Sequence, residues 1–491
     1  MWDFTQKEKS PEIQVTDMEN RKYTLGDIIG QGGQGAVYRV KKDCDIAVKL
    51  VTDKDGLPLK TYDAIRDVSQ KLTDIRILPL PYDINLSRPL TILKSHAGYV
   101  MSLMSDMKSF AAFLKLNDKV EKYPPWLSDD KQQPISGAEV WFNFCKTGGL
   151  RTRLHALYKI SELLAAIHAK GLVYGDISSG NLMYKETESG ITAGLIDTDN
   201  INFAGKSKTY FTPGFGAPEI TTGKSDATVY SDSYAFAVVA FLVLTMLHPF
   251  KGKKVFGAED EDEDWANTVT SQQKSDPGNF NDDGSYSWIF DQNDDSNSYG
   301  DLGQVQTLFL TPLLFALFDN TFSAGHNKPK LRTPLIRWPH AFAQATDLTI
   351  KCPSCGMSYY YDYEENNRHC CPYCSADRGH FVLVQSYFKT GKAPLYTFVH
   401  EINEKELYLP SRCFQSFKIN KADKPILGLT LKDGAIELRL MDNKEVLFIQ
   451  KDTMKERFVG TYKFKVSNAH NFSITLTSES RKIIISGGQK K

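Results

Sequence analysis

The chain has 491 residues, 41% of them apolar and 24% charged, and its 59 Lys and Arg balance 59 Asp and Glu. That length exceeds an ordinary domain of roughly 100–200 residues and predicts two to four of them. The charge balance argues against nucleic acid or an anionic membrane surface as the partner; the longest apolar run, Ala235–Leu247, falls short of the ~20 residues of a spanning helix, and the amino terminus lacks a signal-peptide core, so a cytoplasmic protein is expected.

Residues 13–50 alternate apolar and polar positions around Gly-rich and Asn/Asp turns, as in Tyr23–Ile29, Ala36–Val40 and Ile46–Val51, which predicts antiparallel strands. Leu154, Leu157, Ile160, Leu163, Leu164 and Ile167 then recur at helical spacing up to Gly171, the mark of a long core helix and its stop. Ser231–Leu247 is helical and apolar nearly all round, a pattern that belongs in the middle of a helical body. Residues 251–303 are rich in Gly, Ser, Asn and Asp, carry the acidic run Glu259–Asp264, and read as a mobile surface insertion. Asp291, Asn293, Asp295 and Asn297 imitate a calcium loop, but Ser296 stands where Gly is needed and Leu302 where the bidentate Glu belongs, so calcium is rejected. Helical patterning resumes from Leu302 to about Ala345, and short β segments with turns such as Asp433-Gly434 follow from Thr349.

Four segments carry chemistry in the first two-thirds. Gly30-Gln31-Gly32-Gly33-Gln34-Gly35-Ala36-Val37 is a G-x-G-x-x-G-x-V run, and because a strand rather than a helix follows it, it reads as a flap whose bare backbone approaches nucleotide phosphates. Ala47-Val48-Lys49 comes one strand later, with Lys49 on the less apolar face, under the flap. Tyr174-Gly175-Asp176-Ile177-Ser178-Ser179-Gly180-Asn181 follows the long helix, and Leu195-Ile196-Asp197-Thr198-Asp199 closes an apolar strand.

In that order these segments resemble the motifs of eukaryotic-like (Hanks-type) protein kinases, and the resemblance covers about residues 25–345. In-line phosphoryl transfer needs a carboxylate to accept the hydroxyl proton and oxygen ligands to hold Mg²⁺. The resemblance implies Asp176 as base, Asn181 and Asp197 as metal ligands, and Lys49 against the α- and β-phosphates. Gly30, Gln31, Gly32, Gly33, Gln34, Gly35, Val37, Ala47, Met101, Ser102 and Met104 would line the ATP. Thr209–Glu219, with Thr212-Pro213 and Ala217-Pro218-Glu219, resembles the end of an activation segment; Thr212 leans toward Ser/Thr hydroxyls as acceptors. Glu219 would pair with Arg332, and Asp232 would fix the backbone of the catalytic loop. Tyr174 and Gly175 stand in place of His-Arg, and Thr198-Asp199 in place of Phe-Gly, so switching by loop phosphorylation is not expected. No Glu lies between Lys49 and Glu121 to pair with Lys49; Asp63 or Asp67 are the candidate substitutes.

Four of the eight cysteines form Cys352-Pro353-Ser354-Cys355 and Cys371-Pro372-Tyr373-Cys374, fifteen residues apart. That spacing builds two knuckles aimed at one structural, four-coordinate Zn²⁺. Cys44, Cys145 and Cys413 read as small buried hydrophobes.

The expected architecture is α+β: a two-lobed kinase-like fold over 1–104 and 105–346, a zinc ribbon over 347–382 and a β-sandwich-like domain over 383–491. The expected function is Mg²⁺·ATP-dependent phosphorylation of protein Ser/Thr. A nucleotide-binding pseudokinase scaffold, holding partners through the ribbon and β domain, is the alternative. Tyr-Gly-Asp, the long insertion and the ribbon together resemble the bacterial kinases of tellurium-resistance-associated triads, which implies a metal-dependent phosphatase and a von Willebrand-type protein as partners.

Overall fold

The structure, a computed structural model, describes residues 13–488 apart from 33–34, 117–119, 121, 189, 206–210, 257–264, 275–279, 299–302, 362–369, 389–390, 442–446, 452–453, 459–460, 466–471 and 477–480. It is a mixed α/β protein. Gly33 and Gln34 of the glycine run, Thr209, the acidic run and Leu302 fall outside the described residues.

Strands β1 (Gln14–Thr16), β2 (Lys22–Gly32), β3 (Gly35–Val40), β4 (Asp43–Leu50), β5 (Pro89–Ile92) and β6 (Gly98–Ser102) form an antiparallel sheet in the order β1-β2-β3-β4-β6-β5. Alternation gives it two apolar faces. Tyr38, Val40, Val48, Leu50 and Val100 join Val15, Leu25 and Leu93 in one cluster. Ala47, Tyr99 and Met101 face Leu72 and Ile75 of helix α1 (Tyr62–Arg76), whose first turn is capped by the Thr61 hydroxyl. Gly35 has φ +139°, and a Cβ there would overlap the Leu50 carbonyl oxygen, so only glycine lets β3 start against the end of β4.

The middle of the chain is helical: α2 (Ala138–Lys146), α3 (Gly149–His168), α4 (Pro218–Thr221), α5 (Val229–Thr245), α6 (Lys253–Phe256), α7 (Trp265–Lys274), α8 (Gly303–Phe309), α9 (Pro312–Asp319) and α10 (Trp338–Asp347). Two-residue strands β7 (Lys108–Ser109), β8 (Leu172–Val173) and β11 (Asn202–Phe203) and the hairpin of β9 (Leu182–Thr187) and β10 (Gly190–Leu195) lie between them. Helix α5 is buried nearly throughout, as its apolar circumference requires. Among the described residues, no helix is long and apolar enough to cross a membrane.

The surface-insertion expectation for 251–303 is corrected over the described part. Trp288 and Ile289 are fully buried, and Trp288 packs edge-on against Phe241 of α5 at 6.1 Å and beside Phe315 at 5.4 Å. Asn297 donates to the carbonyls of Phe250 and Ser287 at 3.0 and 2.7 Å, and Trp265 lies 4.3 Å from Trp141. The polar average of the segment hides a few large aromatics that fill the helical core. Cys44 is exposed, against expectation, while Cys145 is half-buried and Cys413 buried.

The last third is two small antiparallel sheets after the hairpin β12 (Thr349–Lys351) and β13 (Ser358–Tyr360). One combines β14 (Phe381–Phe388), β15 (Tyr396–Glu401), β19 (Leu447–Lys451), β20 (Met454–Phe458), β22 (Phe472–Leu476) and β23 (Arg481–Gly488); the other combines β16 (Leu407–Pro410), β17 (Pro425–Lys432), β18 (Ala435–Leu440) and β21 (Thr461–Lys465). Val382, Val384, Ile483 and Ile485 of the first share a core with Leu427, Leu429, Ile436 and Leu438 of the second.

This β-rich part is bound to the helices by ion pairs. Arg412 grips Asp347 of α10 through two bonds of 2.6 and 2.8 Å; it also pairs with Asp423, which pairs in turn with Lys159 of α3. Arg151 of α3 holds Glu401 at 2.5 and 2.8 Å. Asp347→Ala is expected to lower stability in urea by about 3 kcal/mol, because it takes from the buried Arg412 guanidinium its two-bond partner and leaves only the half-exposed Asp423 to compensate it. Adding Arg412→Met should recover most of that loss; no recovery would mean the ion pair is not what the site depends on.

Candidate active site

Lys49 lies mid-sheet, opposite Val37 of β3 and Tyr99 of β6, and only 3% exposed. Its Nζ contacts a carboxylate oxygen of Asp197 and lies 3.4 and 3.5 Å from those of Asp199. Burial alone would lower its pKa, but the charges of Asp199 and Asp197 outweigh that and hold it above the ordinary lysine value. Burial likewise works to raise Asp199, and Lys49 and Lys71 overcome it to leave that carboxyl below the usual range.

The acid facing Lys49 is therefore not on α1. Asp63 and Asp67 are exposed and each pairs with Arg66 at 3.2 Å. Helix α1 reaches the site instead with a cation, Lys71, whose Nζ is 3.6 Å from Asp199 and donates to Asn200 Oδ1 at 3.3 Å.

Local backbone explains how Asp199 arrives there. Asp197 has φ +57°, a left-handed conformation that non-glycine residues adopt at some cost and that collects at functional sites. The chain then turns through a 3₁₀ segment, Thr198–Asn200, which brings Asp199 back toward β4. The buried Thr198 hydroxyl donates to the Ser87 carbonyl at 2.7 Å, so the slot expected to lack an aromatic plug is pinned by a hydrogen bond.

Asp176 sits between two donors. Thr212 Oγ1 donates to its Oδ1 at 2.8 Å and Asn181 Nδ2 to its Oδ2 at 3.2 Å. Burial still keeps the Asp176 carboxyl above the ordinary aspartate value, with the Thr212 and Asn181 bonds working against it. Asn181 Nδ2 also donates to the Asp176 carbonyl at 2.9 Å, which leaves the amide Oδ1 as an acceptor for a cation. The two loops are joined: Ile196 N donates to the Asn181 carbonyl at 3.1 Å, and the buried Tyr174 hydroxyl bonds the Ile196 carbonyl.

The loop carrying Asp176 is fixed from behind. Asp232 accepts the backbone N–H of Tyr174 at 2.7 Å and of Gly175 at 3.0 Å. His168, the last residue of α3, bonds the same carboxylate through Nε2 at 3.0 Å; its place one helix stop before the loop was the only sequence signal for it. Gly175 has φ +88°, so a side chain there would be strained. Glu219 and Arg332 form a two-bond pair at 2.7 and 2.8 Å, away from Asp176, with Arg332 also bonded to the carbonyls of Gly325 and His326.

The remaining candidates are more dispersed. Gly30, Gln31 and Gly32 end β2 and pair with Val37, Ala36 and Gly35 in the glycine hairpin. Ala47 and Met101 are paired neighbours on the α1 face. Ser102 is turned to the rear: its N–H bonds the Arg88 carbonyl at 3.2 Å and its carbonyl accepts from Ser87 Oγ at 2.6 Å. Met104 packs its sulfur over Gly194, where a Cβ would collide with it.

Cys352, Cys355, Cys371 and Cys374 form a separate cluster with all sulfurs within 4.8 Å of one another, Cys352 to Cys374 being 3.6 Å and Cys355 to Cys371 3.7 Å. Tetrahedral zinc with Zn–S near 2.3 Å puts ligand sulfurs about 3.8 Å apart, so the residues fit a structural zinc. The knuckles repeat one hydrogen-bond plan, Gly356 N to Cys352 O at 3.1 Å and Ser375 N to Cys371 O at 3.0 Å. Burial pushes the Cys371 thiol up to about 12 and Cys355 further, and a bound dication would supply the charge that lets these two ionise. The cluster is welded to the helices, with Tyr373 5.3 Å from Trp141 and Cys145 Sγ donating to the Cys355 carbonyl at 3.3 Å.

Two histidines, one buried and one half-buried, set an acid limit. His248, whose Nε2 bonds the Gly214 carbonyl at 2.9 Å, and His155 on α3 are both lowered to about 4, chiefly by burial. Below the ordinary value of 6.5 the unfolded chain takes up protons that the folded one refuses, so their stabilising contribution is intact above pH 6.5 and lost on descending toward 4. Urea titrations should show about 2–3 kcal/mol lost per histidine between pH 7 and 4.5. His248→Phe should flatten part of that slope; an unchanged slope would contradict the assignment.

No protein-family model matches this chain, and none of the curated proteins matches it either.

Proposed function

We propose that the chain is a Mg²⁺·ATP-dependent protein kinase that phosphorylates Ser/Thr hydroxyls, built as a two-lobed kinase-like fold with β1–β6 and α1 as the first lobe and α2–α10 as the second. The observation that carries this reading is the convergence of Lys49, Asp176, Asn181 and Asp197, from segments far apart in sequence, into one bonded site. Asp176 accepts the acceptor hydroxyl's proton; burial raises its affinity for that proton, which suits a base. Asn181 and Asp197 would hold the metal, which in kinases neutralises charge on the transferred phosphoryl group. Lys49 exchanges part of its hold on Asp197 for the nucleotide phosphates under the hairpin of Gly30–Gly35. Thr212, beside Asp176, supports a Ser/Thr acceptor.

A cognate metal-dependent phosphatase and a von Willebrand-type protein are proposed partners, on the motif resemblance alone. The β12–β13 hairpin and the β-rich part are bonded to α3 through Arg151 and Lys159. A nucleotide-binding scaffold without turnover is the competing reading, favoured by the site's closure on itself through Lys49–Asp197 and Thr212–Asp176. Incubation with γ-labelled ATP, Mg²⁺ and a generic protein substrate separates the two: transfer abolished by Asp197→Ala supports the kinase, and no transfer by wild type supports the scaffold.

A further inference from the structure

We infer that Asp199 is the positioning residue for Lys49, doing from the 3₁₀ turn what a helix glutamate would do, and that Lys71 couples α1 to the site by holding Asp199 in place. This rests on the kinase reading and goes beyond it by naming the missing acid and reversing the charge that the helix contributes.

The geometry has three parts. Lys49 has two carboxylates within 3.5 Å, and they differ in exposure: the Asp197 side chain is 27% exposed and that of Asp199 9%. A metal ligand must be open to solvent and able to release Lys49, which suits Asp197. A permanent partner must be buried and held, which suits Asp199. Lys71 reaches the same Asp199 Oδ2 as Lys49, at 3.6 Å against 3.4 Å, and the adjoining Asn200 receives a second bond from the Lys71 ammonium. Lys71 follows Val68 and precedes Leu72 and Ile75, the α1 residues that pack against Ala47, Tyr99 and Met101. A shift of α1 therefore drags Lys71, loosens Asp199 and lets Lys49 swing, while the ion pairs of Asp63 and Asp67 on the solvent side are unaffected. Tyr99, opposite Lys49 in the register, is buried as Lys49 is, so a Lys49 ammonium left without Asp199 is a costly buried charge.

The consequence is a division of labour between two aspartates two residues apart. Removing the Asp199 charge should disturb how Lys49 meets the nucleotide; removing that of Asp197 should disturb the metal.

The test compares Asp199→Asn, Asp199→Glu, Lys71→Met, Lys71→Arg and Asp197→Asn by Mg²⁺·ATP affinity in calorimetry, by KM and kcat, and by the Mg²⁺ concentration for half-activity. Asp199→Asn should weaken Mg²⁺·ATP binding by about 10-fold and lower kcat by about 10²-fold, as a misplaced charge does. The Mg²⁺ midpoint should stay at the wild-type value. Asp199→Glu should regain part of the loss, Lys71→Met should show a milder rise in KM, and Lys71→Arg should be close to wild type. Asp197→Asn should instead move the Mg²⁺ midpoint. Equal thermal midpoints for Asp199→Glu and wild type separate positioning from folding. Wild-type affinity and KM in Asp199→Asn, or an Asp199→Asn effect confined to the Mg²⁺ midpoint, overturns the inference while leaving an active kinase. A wild-type chain that binds no Mg²⁺·ATP overturns the kinase reading and this inference together.

Discussion

On the kinase reading, Asp176→Asn is expected to cut phosphoryl transfer by about 10²–10⁴-fold while leaving Mg²⁺·ATP bound, because it deletes the group proposed to take the acceptor proton. An amide keeps an oxygen for the Thr212 hydroxyl, now at 2.8 Å, so the segment ending at Glu219 should stay in place. The stability change runs the other way. Burial makes the ionised Asp176 carboxyl costly, as its raised pKa shows, and a neutral amide removes that penalty. Asp176→Asn should therefore unfold at the same temperature as wild type or slightly above it, a pattern expected of a group retained for function. A variant that loses activity only because its melting temperature collapses would contradict this account of Asp176.

Removing zinc should have the largest effect on stability. Structural zinc sites of this donor type carry about 10–16 kcal/mol of apparent binding energy, which is folding energy for the segment around them. Here the cluster is not an appendage. Tyr373 lies between Trp126, at 6.4 Å, and Trp141, at 5.3 Å, and Arg151 donates through Nε to Thr349 Oγ1 and through its backbone N–H to Ser358 Oγ, both at 2.8 Å. Unfolding the knuckles exposes the start of α3, the helix that also carries His168 and the dock for Asp423. One zinc per chain is expected by elemental analysis, lost in Cys371→Ser. Chelation should lower the melting temperature and weaken the cooperativity of unfolding. A chain without zinc that melts as wild type does would remove the structural role.

The local motifs were legible in the sequence because each is short and its spacing is set by one turn or one strand. The paired cysteines, Lys49 after the glycine run, and Asp176 five residues before Asn181 are all of this kind. What was not legible depends on contacts across long intervals. Asp199 was read only as an absence of Phe-Gly, since nothing in the sequence says that Asp197 takes a left-handed φ and turns the next acid toward a strand 150 residues earlier. Asp63 and Asp67 were offered for that role because they lie on the expected helix, yet they pair with Arg66 in solvent, and it is the longer Lys71 side chain, one turn beyond Asp67, that reaches Asp199.

The insertion misled for a different reason. Averaged over 251–303, composition is polar, but Trp288, Ile289 and Phe290 decide where the chain goes, because large apolar side chains outweigh many solvated neighbours. The β sheets were visible as alternation, but their attachment was not: Arg412, Asp347, Asp423 and Lys159 are ordinary surface charges until the tertiary structure buries them together.

The central claim is best tested by mass-spectrometric mapping of phosphosites after the protein, with and without Asp176→Asn, is incubated with Mg²⁺·ATP and a generic protein substrate. The account predicts phosphoserine and phosphothreonine in the wild-type reaction and near-absence of both in the variant, at equal nucleotide binding. Phosphosites that persist unchanged in Asp176→Asn, or none in a wild-type sample that binds ATP, would contradict it.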